Sequence, residues 1–295
     1  MAKTGLVTVL YNSDNVLEDF FRSISKQSYK DYILYLVDNS VNDLTNSSIV
    51  RLVKEYPVTQ YSHIKSEGNI GVAAGNNAGI KQALEDGCDY VLLLNNDIEI
   101  ESRDALMKML SVCEMKGEKM VVPKIYYFDT HRLWMAGGHM DTWRALGVHD
   151  GYKKTDGPAY NVPRHITYAP TCFMLINKQV FDKIGMMDEQ YFAYYDDTDF
   201  VYRAAKTGFK LYYEPSINIL HKVSSSGGGD LSAFYVYYSN RNKIYFIRKN
   251  FKGIKRIFAI FYTIFSRIFF WLQFNKARKK DLIRGLKDGF RIKTI

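Results

Sequence analysis

Cysteine is scarce in this chain: Cys88, Cys113 and Cys172 are odd in number and far apart. No Cys-x-x-Cys occurs, which argues against both a zinc knuckle and a disulfide framework. The N-terminal MAKTGLVTVLYN lacks a basic stretch followed by a long apolar run, and reads as a first strand rather than a signal peptide. A reduced, cytosolic compartment is therefore the expectation. A Gly-x-Gly-x-x-Gly fingerprint is absent, as are internal repeats and low-complexity linkers. Acids are nearly missing from one region. Residues 241–295 hold sixteen Lys or Arg against only Asp281 and Asp288, while the first 240 residues hold 24 basic and 29 acidic residues. A mildly acidic body thus carries a strongly basic tail, which suggests a polyanionic partner for the tail.

What is present points to a globular protein. The 295 residues suffice for one large domain or a domain with an appendage, and 47% hydrophobic with 24% charged residues gives a sizeable core. Aromatics reach 15%. That load suits ring-shaped ligands, a membrane-facing surface or simply an aromatic core.

Short apolar runs alternate with helical patterns. Leu6 to Leu10 and Tyr32 to Val37 read as buried strands, with helices over Val16 to Ser25 and Ile49 to Tyr56. Asn69 to Gly79 is rich in Gly and Asn and leads into a helix through Leu84; Tyr90 to Leu94 is the next strand. This alternation predicts a doubly wound, mostly parallel α/β sheet. In such sheets ligands bind beyond the carboxyl ends of the strands. Three strands end in polar clusters: Tyr11-Asn12, Asp38-Asn39-Ser40 and Asn95-Asn96-Asp97. One such cluster is an ordinary turn or cap; three along one rim suggest a site. The glycine stretch is either a turn with a helix start or a backbone cradle for phosphate.

The segment YYDDTDF gathers Asp196, Asp197 and Asp199 among aromatics. Closely placed carboxylates raise one another's pKa, which is what a general base requires. Asp199 is expected to cap a helix over Phe200 to Thr207 and to pair with Arg203 one turn on.

Taken in order, VTVLYN, VDNS, GNIGVAAGNNAGI, LLLNND, YFAYYDDTDFVYRAAKTGFKLYYEP and an LH followed by serines resemble family 2 glycosyltransferases of the GT-A fold. The resemblance runs from Leu6 to Asn250 and is nearest to the rhamnosyltransferase-like branch, where YYSNRNKIYFIRKN also has a counterpart. It implies an inverting, metal-dependent transfer of a sugar from a nucleotide diphosphate, with L-rhamnose from dTDP-rhamnose as first choice. A UDP-linked galactose, galactofuranose or N-acetylglucosamine is the alternative. It places Mg²⁺ or Mn²⁺ on Asp97 and His221. The nucleotide sugar falls to Tyr11, Asn12, Asp38, Asn69, Gly71, Asn77, Asn95 and Asn96. Asp197 becomes the base with Asp196 beside it, standing where Glu is usual. The segment holding Trp134 and Gly138 lines the acceptor pocket, together with Thr171, which replaces a common Gly. The implied acceptor is a lipid-linked saccharide, such as a polyprenyl-diphosphate sugar, in cell-surface polysaccharide synthesis.

The organisation expected is a glycosyltransferase domain over 1–240 and a helical tail over 241–295. Ile257 to Phe274 is almost wholly apolar, with basic flanks on both sides and Arg267 near its middle. A central Arg costs about 2.5–3.5 kcal/mol for insertion. An interfacial helix on an anionic leaflet, at the cytoplasmic face of the plasma membrane, fits better than a span. Packing on the body or on a homodimer partner is the other option. Two further classes stay open: a nucleotidyltransferase, which would release pyrophosphate, and a nucleic-acid-binding protein. The tail carries no nucleic-acid motif, so no nucleic-acid partner is expected.

Overall fold

The computed structural model describes residues 2–222 and 232–294. The Ser-rich stretch after His221 lies outside them. The first half alternates strands β1 (Thr4–Leu10), β2 (Tyr32–Asp38), β3 (Tyr61–Lys65) and β4 (Tyr90–Leu94) with helices α1 (Leu17–Ser25), α2 (Leu44–Glu55) and α3 (Val72–Glu85). These four strands are parallel, in the order β4-β1-β2-β3. Side chains alternate between the two faces of the sheet. Leu6, Leu34, Leu36, Leu92 and Leu94 join the core on the side of α1 and α2. Val7, Tyr35, Val91 and Leu93 join the core on the side of α3. Both faces are covered, so these strands read as continuous apolar runs. Gly79 brings α3 close to the sheet, since a Cβ there would lie 2.4 Å from Val7 Cγ1.

The second half turns the sheet mixed. It contributes β5 (Ile98–Glu99), α4 (Ala105–Lys116), β6 (Met120–Tyr127), β7 (Leu133–Met135) and a hairpin of β8 (Gly138–Asp141) and β9 (Leu146–His149). Then come β10 (Arg164–Ile166), β11 (Phe173–Asn177), α5 (Lys178–Ile184), α6 (Asp196–Lys206) and β12 (Leu211–His221). β11 inserts antiparallel between β4 and β6, and the path continues through β12 to β10. α6 begins at Asp196, not at Phe200. Asp199 therefore sits inside the first turn and caps nothing; it pairs with Arg203 at 2.7 Å, as expected, and with Lys249 at 3.0 Å.

The chain closes with α7 (Ala233–Asn250), α8 (Gly253–Gln273) and α9 (Lys276–Arg291). The 240/241 position falls within α7. Tyr245, Phe246, Ile247 and Phe251 pack with Tyr191 in a third core that roots α7 on the body. α9 lies tightly on α7: a Cβ on Gly285 would come 2.5 Å from Tyr237 O, and one on Gly289 2.4 Å from Arg241 O. α8 is different. Only Ala259 and Thr263 of its residues are buried. Among the described residues no helix is long and apolar enough to cross a membrane.

Candidate active site

A cleft of about 680 Å³ opens over the carboxyl ends of β1, β2 and β4. Tyr11 follows β1 and stays half-exposed at the rim. At the end of β4, Asn95 N–H donates to Cys172 O at 2.9 Å, and Asn96 Nδ2 donates to Ser13 Oγ at 2.6 Å. Gly71 precedes α3 with φ 87°, and a Cβ there would lie 2.6 Å from Phe192 O. No L side chain suits that combination of left-handed φ and close approach.

Asp97 and His221 meet by sheet pairing. The short β5, directly after Asp97, pairs antiparallel with the end of β12, placing Ile98 opposite His221. Lys222 N–H then donates to Asp97 O at 2.8 Å. Both side chains are buried, with His221 Nε2 3.2 Å from Asp97 Oδ1. Trp134 packs edge-on against the imidazole at 4.6 Å between ring centres. Adjacent ligands in an octahedral shell with bonds of about 2.1 Å lie about 3.0 Å apart. The pair therefore fits two neighbouring positions of a hard divalent cation. Among the described residues no group of three or more His, Cys, Asp or Glu side chains forms a complete metal cage.

The opposite wall carries the acid pair. Tyr194 and Tyr195 are both left-handed, at φ 65° and 68°, immediately before α6. Such residues cost on the order of 1–3 kcal/mol each and persist only where neighbours impose them. Asn242 supplies that constraint: its Nδ2 donates to Ala193 O at 2.7 Å and Tyr194 O at 2.9 Å. Tyr195 OH donates to Ala145 O at 3.1 Å. The turn starts α6 with Asp196 and Asp197 in its first turn. Asp197 accepts from Thr198 N–H at 2.5 Å, Thr198 Oγ1 at 3.0 Å and Tyr168 OH at 3.2 Å. Burial raises the pKa of both acids, and the Asp197 charge raises that of Asp196 further. Three donors favour the Asp197 carboxylate, while the Asp197 charge adds to burial in favouring the protonated form of Asp196.

Cys172 lies between the two walls. Burial pushes its thiol well above the usual range, and the nearby Asp97 and Asp197 push it further. His149 lines the cleft beside Trp134. Burial holds it down to about 4 and thus neutral; its Nδ1–H donates to Trp134 O at 3.1 Å.

Of the residues expected from sequence, the cleft gathers Tyr11, Asn69, Gly71, Asn95, Asn96, Asp97, Trp134, Thr171, Asp196, Asp197 and His221. Asn12, Asp38, Asn77 and Gly138 do not line it. Asn12 accepts from Asn42 at 3.1 Å in an exposed left-handed turn. Asp38 is fully buried, accepting from Ser40 N–H at 2.9 Å and Lys65 Nζ at 2.8 Å. Burial opposes the Asp38 charge, but these donors outweigh it and lower its pKa. The neighbouring Asn39 faces the cleft instead. Asn77 ties α3 to Met187, with Nδ2 to Met187 O and Met187 N–H to Oδ1, both at 2.9 Å. Gly138 lets β8 approach β9, since a Cβ would meet Val148 O at 2.5 Å. Sequence reading missed Tyr168, His149 and Tyr195. Ser239 and Asn242 belong to the YYSNRN segment, which did carry a signal.

Residues 6–185 match the family described as Glycosyl transferase family 2. The chain belongs to that family and is a glycosyltransferase of the GT-A fold. It is 26% identical over 264 residues to the Low-salt glycan biosynthesis hexosyltransferase Agl10 of Haloferax volcanii, covering 89% of this chain and 80% of that protein. It is 25% identical to the dTDP-rhamnosyl transferase RfbF of Shigella flexneri, covering 97% and 94%. It is 23% identical to the N-acetylglucosaminyl-diphospho-decaprenol L-rhamnosyltransferase of Mycobacterium tuberculosis, covering 76% and 78%. Among solved structures, a mannosyltransferase from Pyrobaculum calidifontis in complex with GDP-Man and Mn²⁺ superposes with TM-score 0.62 at 12% identity, covering 98% of this chain and 86% of that one. S. aureus TarS 1–349 in complex with UDP-GlcNAc superposes with TM-score 0.62 at 14% identity, covering 98% and 81%.

Proposed function

We propose that this glycosyltransferase is inverting and metal-dependent, moving L-rhamnose from dTDP-rhamnose to a hydroxyl of a lipid-linked saccharide in cell-surface polysaccharide synthesis. One observation carries the reading: a single cleft has Asp97 and His221 on one wall and Asp196 and Asp197 on the other. The names of the Shigella and Mycobacterium relatives support rhamnose as the sugar, and the latter supports a polyprenyl-diphosphate acceptor.

In this reading Tyr11, Asn39 and Asn69 flank the nucleotide. Asp97 and His221 would hold Mg²⁺ or Mn²⁺, which would supply neutralisation of the leaving charge. Asp197 takes the proton of the acceptor hydroxyl as that oxygen attacks the anomeric carbon. The bond from that carbon to the diphosphate oxygen breaks, its electron pair leaving with the nucleoside diphosphate. Asp196 keeps its proton and stays neutral beside the base. Tyr168 orients Asp197.

α8 supports a peripheral position at the cytoplasmic face of the membrane. Ile257, Phe261, Phe265, Phe269 and Leu272 are each at least half-exposed. The basic residues of α9 lie next to them in sequence, so apolar insertion and attraction to anionic lipid would act together.

The test supplies Mn²⁺, N-acetylglucosaminyl-diphospho-decaprenol and, in parallel, dTDP-rhamnose, UDP-galactose, UDP-galactofuranose or UDP-N-acetylglucosamine. Transfer with dTDP release supports the rhamnosyl reading, and preference for a UDP-sugar replaces the donor. Pyrophosphate release without transfer would contradict glycosyl transfer altogether.

A further inference from the structure

A second cavity, of about 600 Å³, opens off the cleft. Leu146, Gly147, His149, Tyr235 and Ser239 line both. α7 adds Asn240, α8 adds Arg267 and Phe270, and Phe274 follows at the end of α8. No Asp or Glu lines it among the described residues, and Arg267 is the only Lys or Arg that does. Arg267 is also the only charged residue between Arg256 and Lys276. Its Nε donates to the buried Asn240 Oδ1 at 2.5 Å, and one terminal nitrogen reaches Ser266 Oγ at 3.5 Å. Its guanidinium carbon also lies over the Phe270 ring, 5.4 Å from the ring centre. A guanidinium in a largely apolar cavity with no carboxylate among its described lining residues calls for an anion, and phosphate oxygens match its geometry.

A second basic group, held toward its neutral form, lies near Arg267. Lys243, one turn along α7 from Asn240, is only 3% exposed. Burial, with Arg267 and Arg144 close by, pushes its ammonium down to about 7. Tyr195, which lines the cleft, feels both Arg267 and Asp197. Phe270, which lines the cavity, stands on α8 beside the exposed Phe269, Trp271 and Leu272. Tyr195 thus links the base to the cation, and α8 links the cation to an apolar face, matching the hydroxyl, diphosphate and lipid of a lipid-linked acceptor.

We propose that this second cavity is the subsite for the diphosphate-lipid portion of the acceptor, with Arg267, oriented by Asn240, binding the acceptor diphosphate. This rests on the lipid-linked acceptor proposed above.

The experiment is calorimetric binding of farnesyl diphosphate, farnesol and dTDP to the full chain and its variants. Wild type should bind farnesyl diphosphate with dTDP saturating, and prefer it over farnesol. Arg267→Ala should weaken farnesyl diphosphate at least tenfold while leaving farnesol and dTDP within twofold. Asn240→Asp keeps a partner for Arg267 but neutralises it, so it should lose the diphosphate preference to a similar degree. This variant decides the matter if Arg267→Ala does not fold. If Arg267 merely props α8, both variants would lower the melting midpoint and leave the diphosphate-over-alcohol preference intact; that result overturns the subsite. Wild type that transfers sugar to a lipid-free saccharide but ignores farnesyl diphosphate also overturns it, with glycosyl transfer standing. Wild type that binds farnesyl diphosphate but transfers from no nucleotide sugar would instead sink the donor reading.

Discussion

The parallel half of the sheet and the three closing helices solve the same problem differently. In β1, β2 and β4 every apolar side chain is buried except Val9, which is partly covered and lines the cleft, and apart from the buried Thr8 and the tyrosine hydroxyls polar side chains stand at the strand ends. In α8 the apolar side chains face outward along about 30 Å of helix. Similar residue types therefore make a closed core in one place and an open face in the other. What separates them is the partner: a sheet has helices on both sides, whereas α8 is covered along one stripe, by α7, α9 and the turn between β8 and β9. α9 shows the third solution, with Gly285 and Gly289 removing side chains so that backbones touch. The tail is thus not simply detachable. Truncation at residue 250 would strip Leu282, Gly285 and Gly289 from α7 and damage the body it was meant to spare.

The contrast can be broken at four points. The largest effect is expected in the cleft: Asp197→Asn should lower transfer by about 10²–10⁴-fold, the usual worth of general-base assistance, measured as kcat with saturating donor. Transfer within a few-fold of wild type would remove Asp197 from the base role. Next comes the open face. Replacing Ile257, Phe261 and Phe265 with Ser should weaken sedimentation with anionic liposomes on the order of a hundredfold, at about 1 kcal/mol for each half-exposed side chain. The melting midpoint should hold, because none of the three is in the core; undiminished binding would place the anchor elsewhere. Third, Gly285→Leu should destabilise by about 1–3 kcal/mol through overpacking against Tyr237 O, read by thermal unfolding. An unchanged midpoint would mean α9 is not docked on α7.

The smallest effect is in pH. Burial raises the folded-state pKa of Asp196 and Asp197, so their protonated forms favour folding. That contribution is complete below the ordinary carboxylate value and is lost as pH rises through the raised values, about 8 for Asp196. Asp196→Asn should therefore flatten the decline in stability between about pH 4 and 8. The ascending limb of kcat/KM should stay in place, since the amide replaces an acid that is already neutral when Asp197 ionises. A decline in stability as steep as that of wild type would show that Asp196 does not titrate with a raised pKa.

Much of the donor half was legible. Tyr90–Leu94 was found at its bounds, and β2 runs one residue past Val37 to Asp38. α2 starts at Leu44, before the apolar spacing that marks Ile49 onward. Strand β3 gave little signal because four of its five residues are polar or tyrosine and only half its surface is covered. The start of α6 was misplaced because two consecutive left-handed tyrosines are rare, and the amide that enforces them, Asn242, lies 47 residues later. Asp38 illustrates the limit of a strand-end rule: the rim is right, yet a carboxylate there can turn to Lys65 while its neighbour Asn39 faces the cleft. Arg267 was legible as an anomaly in an apolar run. Its cavity was not, because the β8–β9 hairpin that walls it comes from 120 residues earlier.

The central claim is that the two walls of the cleft divide the work, Asp97 with the donor and Asp197 with the acceptor. Calorimetric titration of dTDP with Mn²⁺ into Asp97→Ala and Asp197→Asn tests it most directly. The account predicts at least a tenfold loss of nucleotide affinity in Asp97→Ala and affinity within twofold of wild type in Asp197→Asn. Unimpaired binding in Asp97→Ala, or a loss confined to Asp197→Asn, would contradict it.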